Sequence, residues 1–378
     1  PSTLVDLYDF ARLTDNLGHL DTFGKVVVPT DVPNLRSHDI NTAYVSLAGT
    51  RKHVGLGFMD VRHMDDALEM VHMLAGGERA YRDHPFCSSG GCPVVSPLTY
   101  GEDNTEVCID APRFHGAVSV VIAPQAGATA PAALAGTLVQ TTAETLAALM
   151  IVQLTTPGHP VSFGAWPFVS DLRTGSFSGG GGEQALLAAA AGQIGKFYDL
   201  PCSVGAGMTD SKAADNQAGY ERGITTVLSA LAGSNVISEV GGTMGSLLGC
   251  SFEAMVIDNE MLGMIKRVVR GIEVTEETLS YHVIEDAVYG AGHYLGHPQT
   301  LELMNSEYLY PTIADRTSPG EWEENGSHDI RDKARLVARD ILATHYPVYI
   351  DPDVDKALRA RFPIQLPETA MTAATGRW

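Results

Sequence analysis

Trp166 and Phe168 stand two residues apart, and Asp210, Gln217, Tyr220 and Glu221 follow within one short stretch of chain. Aromatic faces beside carboxylates suit a quaternary ammonium group, a cation with no N–H to donate that is held by ring quadrupoles and diffuse charge. Each residue also has a structural reading. Trp166 and Phe168 belong equally well to a packed core, and Asp210 is a preferred cap for a helix opening near Ser211. Tyr220 and Glu221, about two to three helical turns beyond, line a pocket wall or face a neighbouring helix. If the substrate also carries an anion, the available donors are Gln125, Gln217, His293 and Lys212, the last also placed to pair with Asp215 or Asp210.

Other chemistries find less support. His293-Tyr294-Leu295-Gly296-His297 has the spacing that sets two imidazoles on one helix face, but no glutamate follows His293, and the glycines and Pro298 oppose a helix. A metalloenzyme built on this pair would hold zinc and lose activity on chelation; the expectation is no tightly bound metal. Cys87 and Cys92 enclose Ser-Ser-Gly-Gly with no second pair at zinc spacing, so buried thiols are expected. The run Gly179–Gly182 lacks the Gly-Lys-Ser/Thr of a phosphate loop and reads as a flexible loop. No Gly-x-Ser-x-Gly elbow marks a hydrolase serine.

The 378 residues carry 25 basic against 45 acidic side chains, 25 − 45 = −20 with histidines neutral. Such a surface repels phosphate backbones and anionic lipid, which argues against nucleic acid and membrane partners. Five cysteines, an odd number with no signal peptide ahead of them, point to a reducing, cytoplasmic setting. The most apolar stretch, Ala132 to Leu154, is broken by Thr137, Gln140, Thr141, Thr142 and Glu144, and is expected as a buried helix.

The elements that must position these residues alternate strand and helix almost from end to end, the pattern of parallel βα units. Strands are expected near Thr22–Val28, His53–Phe58, Phe86–Gly90, Ala117–Ile122, Val161–Phe163, Cys202–Ala206 and Asn235–Ser238, the last running into Glu239-Val240-Gly241. A closed (β/α)8 barrel needs eight, and one strand short leaves two unpaired edges. The expectation is therefore a TIM barrel whose first strand precedes Pro1 and is missing from this sequence. The barrel occupies residues 1–250, and C-terminal helices and a tail over 251–378 pack on it as part of one domain. A doubly wound open sheet is the rival architecture, although the Gly-x-Gly-x-x-Gly turn is absent.

The segment Gly205-Ala-Gly-Met-Thr-Asp-Ser-Lys-Ala-Ala-Asp-Asn-Gln-Ala-Gly-Tyr-Glu221 closely resembles the trimethylamine methyltransferase family, the MttB-type corrinoid-dependent methyltransferases. Similar blocks recur at Pro124–Pro131, Ser170–Gly175, Ser251–Thr278 and Gly290–Leu301, so the resemblance spans nearly the whole chain. It implies a TIM barrel that moves a methyl group from a methylated amine to Co(I) of a corrinoid (cobalamin) carried on a separate small protein. The trimethylamine enzymes of the family carry pyrrolysine in the barrel, near the segment matching Pro201–Lys212, where this chain has ordinary residues. The pyrrolysine-free relatives demethylate quaternary amines such as glycine betaine, and that is the expected activity. Trimethylamine and other methylated amines are the alternative substrates, and a methylated-amine binding protein without turnover is the alternative of another class. The resemblance further implies catalytic roles for Asp210 and Glu221, substrate contacts from Trp166, Phe168, Tyr220, Gln125, Gln217 and His293, a homo-oligomer, and docking loops at Gly179–Gly182 and Gly241–Gly245.

Overall fold

The computed structural model describes residues 1–373 and 376–378. The chain opens on a helix, α1 (Leu4–Asn16), which begins where it does because Thr3 and Asp6 form a reciprocal capping box. Lys52 then ties the end of α1 to the sheet. Its ammonium donates to the carbonyls of Thr14, Leu17 and Leu20 at 2.5–2.6 Å, satisfying acceptors that the helix end leaves free.

All seven expected strands form: β1 (Thr22–Phe23), β2 (His53–Leu56), β3 (Cys87–Gly91), β4 (Val118–Ile122), β5 (Val161–Ala165), β6 (Cys202–Gly205) and β7 (Val236–Ser238). Every pair is parallel and the spatial order follows the chain order without reversal. That order excludes the doubly wound sheet, which needs a switch in direction. Right-handed crossovers stepping always to the same side put all the helices on one face, so the sheet curls into a barrel-like arc. The covering helices are α2 (Leu35–Gly49), α3 (Met64–Ala75), α4 (Glu102–Asp110), α5 (Leu134–Thr155), α6 (Gly182–Phe197), α7 (Asn216–Leu231) and α8 (Phe252–Arg270). Curling brings the two ends of the arc toward each other: a side chain added at Gly241, just past β7, would meet Leu20, just before β1.

The two faces of the sheet differ in chemistry. Val54, Val118, Val120, Ile122, Phe163 and Val204 point to the helices and make the core. By alternation, the other face carries Ser88, Ser119, Ser162 and Ser203, interleaved with Gly55, Gly90, Gly164 and Gly205, with His53 and Val121 its larger side chains. Ser119 and Ser162 are register partners, and Ser203 lies opposite Gly164. A filled barrel stacks branched side chains in this position. Here the concave face is small and hydroxyl-bearing.

The helix α5 is long and apolar enough, by length and composition, to cross a membrane, with a third of its window buried. Its buried positions include Thr137, Thr141, Glu144 and Thr145, and it packs on β4, β5 and α6. The C-terminal segment returns to the start of the chain. Helix α9 is Tyr281–Tyr289; α10 (Ile330–Thr344) packs on α8 and α1; and α11 (Pro352–Arg361), in a stretch read from sequence as tail, packs on α3. Buried Arg12 donates to the carbonyls of Leu342 and His345 at 2.8 and 2.7 Å, closing the exposed end of α10.

Backbone proximity in the sheet requires glycine at Gly164, where an added Cβ would come within 1.8 Å of the Val120 carbonyl oxygen. Gly164→Ala is expected to lose roughly 2–3 kcal/mol in urea unfolding. Gly18→Ala, with nothing within 4 Å, should stay within about 0.5 kcal/mol of the parent.

Candidate active site at the strand ends

Beyond β5 the chain remains extended, with Trp166 N–H donating to Ile122 O and Phe168 N–H to Pro124 O, both at 2.8 Å. This carries the two aromatic residues over the end of the neighbouring strand β6. The Trp166 indole donates to Ser203 Oγ at 3.2 Å. A Cβ at Gly205 would lie 2.9 Å from the Trp166 ring and 2.8 Å from Phe168, so only glycine lets the rings lie against the strand. Phe168 meets Trp166 edge-on at 6.5 Å between centroids and Phe177 edge-on at 4.9 Å. Gln125, the register partner of Phe168, accepts from Ser170 Oγ at 2.7 Å through its side-chain oxygen. Trp166, Phe168 and Gln125 thus come together, with Phe177 an aromatic that sequence reading missed. Its signal was the three-stranded antiparallel and parallel flap of Gln125–Ala126, Phe168–Asp171 and Ser176–Ser178, too short to register as strands.

The two carboxylates expected to act in catalysis are placed differently. Asp210 accepts from Ser178 Oγ (2.7 Å), Gly179 N–H (2.8 Å) and Ser246 Oγ (2.7 Å), binding its own loop to two others. Burial raises its pKa, but these hydrogen bonds outweigh that and hold it below the ordinary aspartate value. Asp210 does not cap α7; that role falls to Asp215, which accepts from Ala218 N–H. Glu221 is buried, taking Thr209 Oγ1 (2.5 Å) and Asp210 N–H (2.9 Å) on one oxygen and Gln217 Nε2 (2.9 Å) on the other. With these bonds made, both carboxylates hold loops in place, and so does Gln217. Arg222, the next residue, pairs with Asp258 at 3.1 Å, both 2% exposed or less, and donates to Thr243 O. Asp258 in turn accepts from Gly242 N–H at 2.7 Å.

This lacing pins the glycine loops. Gly179 and Gly180 are buried, and a Cβ on Gly180 would collide with Glu221, so the loop read as flexible is held fast. Tyr220 is 58% exposed and shares no ring contact with Trp166 or Phe168 among the described residues. His293 lies exposed between α9 and the short helix at Pro298–Leu303, and His297 caps that helix by accepting from Gln299 N–H. No cluster of His, Cys, Asp and Glu that could hold a metal occurs among the described residues. Lys212 donates to the Asp210 carbonyl at 2.7 Å.

One carboxylate at the strand ends is not engaged in this way. Glu239 follows directly on β7, has no side-chain hydrogen bond among the described residues, and adopts φ +72°, a left-handed conformation unusual for glutamate. Its neighbour in the sheet is β6, with Ala206 N–H donating to Ser238 O, which sets Glu239 one strand from the rings over Gly205. Burial pushes its pKa up. Of the two cysteines expected as buried thiols, Cys87 is buried and Cys92, just past β3, is exposed, because it has left the strand whose inner positions the helices cover. Glu239 was visible in the sequence only as the residue ending a strand; its missing partners and its backbone conformation are tertiary facts.

Two predictions follow from the lacing. Asp210→Asn should destabilise at pH 7, and the gap to the parent should shrink as pH falls below about 4, because a depressed carboxylate pKa contributes stability above the unfolded value and loses it on protonation. Urea midpoints at pH 7 and pH 3 measure this. Arg222→Met strands Asp258 as a buried unpaired charge and should cost roughly 3–5 kcal/mol, partly restored by adding Asp258→Asn.

A family model described as trimethylamine methyltransferase (MTTB) matches residues 1–364. A trimethylamine methyltransferase MttB of Methanosarcina barkeri is 34% identical over 365 residues, covering 94% of this chain and 71% of the relative. A glycine betaine methyltransferase of Desulfitobacterium hafniense is 31% identical over 360 residues, covering 95% and 74%. A trimethylamine methyltransferase MttB of the same species is 33% identical over 362 residues, covering 95% and 71%.

Proposed function

The chain belongs to the trimethylamine methyltransferase family and is a methyltransferase, and on that premise we propose that it takes a methyl group from a quaternary amine of the glycine betaine kind. The acceptor in this reading is Co(I) of a corrinoid carried by a partner protein. The observation that carries the substrate class is the aromatic wall of Trp166 and Phe168 over Gly205, one strand from the unpartnered carboxylate of Glu239. The likeness to a named glycine betaine methyltransferase supports it, as does a Pro201–Lys212 segment made only of standard residues.

The corrinoid, when docked, supplies the cobalt nucleophile. The small serine and glycine face of the sheet fits this role, since it leaves room along the arc for substrate to meet a group delivered from outside. The chain's own work is binding and orientation. A quaternary nitrogen leaves as a neutral amine, so no proton need be supplied to it. Trp166 offers a ring face to the cation, Phe168 and Phe177 wall it from water, and Glu239 supplies the counter-charge in a desolvated place where it counts for more. These residues replace Asp210, Glu221 and Tyr220 in the reading of the site.

Trimethylamine is the second reading, favoured by the 34% identity to the Methanosarcina barkeri enzyme. Its protonated form has an N–H that Glu239 can accept. One further parallel strand between β7 and β1 would close the arc into an eight-stranded TIM barrel. The exposed apolar residues Val139, Met150 and Leu154 on α5 and Phe197 on α6 support a homo-oligomer.

The test incubates the protein with cob(I)alamin and a panel of methylated amines and follows methylcob(III)alamin by absorbance. Transfer from glycine betaine and none from trimethylamine is expected; the reverse would move the assignment to trimethylamine. Trp166→Ala should raise KM roughly 2- to 30-fold, the value of about 0.5–2 kcal/mol for a cation on a ring. Glu239 has a raised pKa and a bound cation favours its ionised form, so affinity should rise with pH through that pKa in the parent and stay flat in Glu239→Gln.

A further inference from the structure

Between α8 and α10 the chain leaves the body of the molecule. Residues 271–310 hold α9 and the short helix at Pro298–Leu303, and within them only Val283 and Ala287 are buried. Thirteen of these forty residues are large apolar side chains standing in solvent, among them Ile272 (87% exposed), Tyr289 (85%) and Leu295 (82%). No helix or strand among the described residues packs closely on α9. The arm is nonetheless shaped and held. Gln299 Nε2 donates to Ser280 Oγ at 2.8 Å, and Thr300 Oγ1 to the Tyr294 carbonyl at 2.7 Å. At its root Arg267 donates to the Glu307 carbonyl and carboxylate at 2.8 and 2.9 Å, and Thr312 Oγ1 donates to Glu260 at 2.6 Å.

A polar segment this exposed would be at home in water, but an apolar one marks a surface that something covers. The molecule's area shows how much there is to cover. The chain exposes 18868 Å², whereas a self-contained monomer of its mass exposes about 14,500 Å². The surplus of about 4,400 Å² exceeds the roughly 1,000–2,500 Å² per copy that an obligate interface takes, which leaves a share for the open side of the arc.

Charge selects the occupant. The arm carries seven carboxylates and no lysine or arginine, so two arms laid on each other would set −7 against −7. The outer faces of α6 and α7 are the complementary surface. Tyr220, Ile224, Leu228 and Leu231 run along α7 as one exposed stripe at helical spacing, and Leu186 and Phe197 of α6 extend it. The exposed charges on these two helices are Glu183 and Lys196, which cancel, so nothing there repels an acidic arm.

We propose that residues 271–310 are an exchange arm that lies on the outer face of α6 and α7 of a second copy of the chain, each copy giving an arm and receiving one. This rests on the homo-oligomer reading above and deepens it, and it does not depend on which amine donates the methyl group. The experiment is sedimentation velocity of the full-length protein over a dilution series. Wild type should sediment as a dimer or a larger closed assembly. Leu295→Glu in the arm and Phe197→Glu on the face should each weaken association roughly 10-fold or more, as loss of a well-buried anchor does. Val348→Glu, 77% exposed and outside both surfaces, should change it less than about 2-fold. The three sites are exposed in the single chain, so the variants are expected to fold, checked by circular dichroism. Carbodiimide coupling of mixed heavy-isotope and unlabelled protein should join Lys196 of one copy to an arm carboxylate of the other. A wild type that stays monomeric at every concentration overturns the arm and the homo-oligomer together, and turns the apolar surface over to a different protein such as the corrinoid carrier. An oligomer indifferent to Leu295→Glu or to Phe197→Glu, or mixed-isotope links that join arm only to arm, overturns the exchange and leaves the homo-oligomer standing.

Discussion

Two consecutive buried residues of α7, Glu221 and Arg222, hold the working end of the molecule in shape. Glu221 gathers Thr209 and Asp210 from the loop after β6, and Asp210 then gathers Ser178, Gly179 and Ser246 from the loops on either side. Arg222 reaches the other way to Asp258 and Thr243, fixing the loop after β7. A glutamate and an arginine adjacent in sequence point about 100° apart on a helix, so one helical position serves two loops. Buried charges of this kind add little net stability over apolar packing, but removing one partner is costly. Their contribution here is a single arrangement of the loops over the strand ends.

The carboxylates most prominent in the sequence, Asp210 and Glu221, are thus engaged with the loops around them. A carboxylate that accepts three hydrogen bonds has most of its roughly four acceptor sites occupied. Glu239 differs because its surroundings desolvate it without satisfying it, the condition in which a carboxylate answers strongly to an arriving cation. Its left-handed backbone is held by the loop that Asp258 anchors through Gly241 and Gly242. The lacing and the site are thus one construction, with satisfied charges fixing the position of an unsatisfied one. The chain's net charge of −20 adds a field that draws cations toward the molecule as a whole.

The concave face of the sheet makes a complementary contribution. Serine and glycine there give up the apolar packing that would fill a barrel, and the core sits between the sheet and its helices instead. Stability is therefore concentrated outside the arc, and the inside is left for a ligand. The C-terminal helices reinforce that outer layer, with Arg12 of α1 capping α10 and the indole of Trp378 donating to Asp9 at 2.9 Å.

The strand positions and the parallel alternation were legible because strand and helix periodicities are local properties of the chain, and the family was legible because its blocks recur along the whole length. The small strands of the flap and the helix at Pro352–Arg361 were not, being too short or too polar to leave a periodic trace. That Trp166, Phe168 and Gln125 come together was legible because they follow the ends of neighbouring strands. The roles of Asp210, Glu221, Tyr220 and His293 could not be read that way, since whether a side chain faces a ligand or a neighbouring loop depends on contacts between residues far apart in sequence. Sequence by itself determined which elements form and in what order they pack. Only the tertiary structure decided which charges are spent on one another and which, like Glu239, make no side-chain hydrogen bond among the described residues, because hydrogen-bond satisfaction is a property of the assembled neighbourhood and not of any residue type.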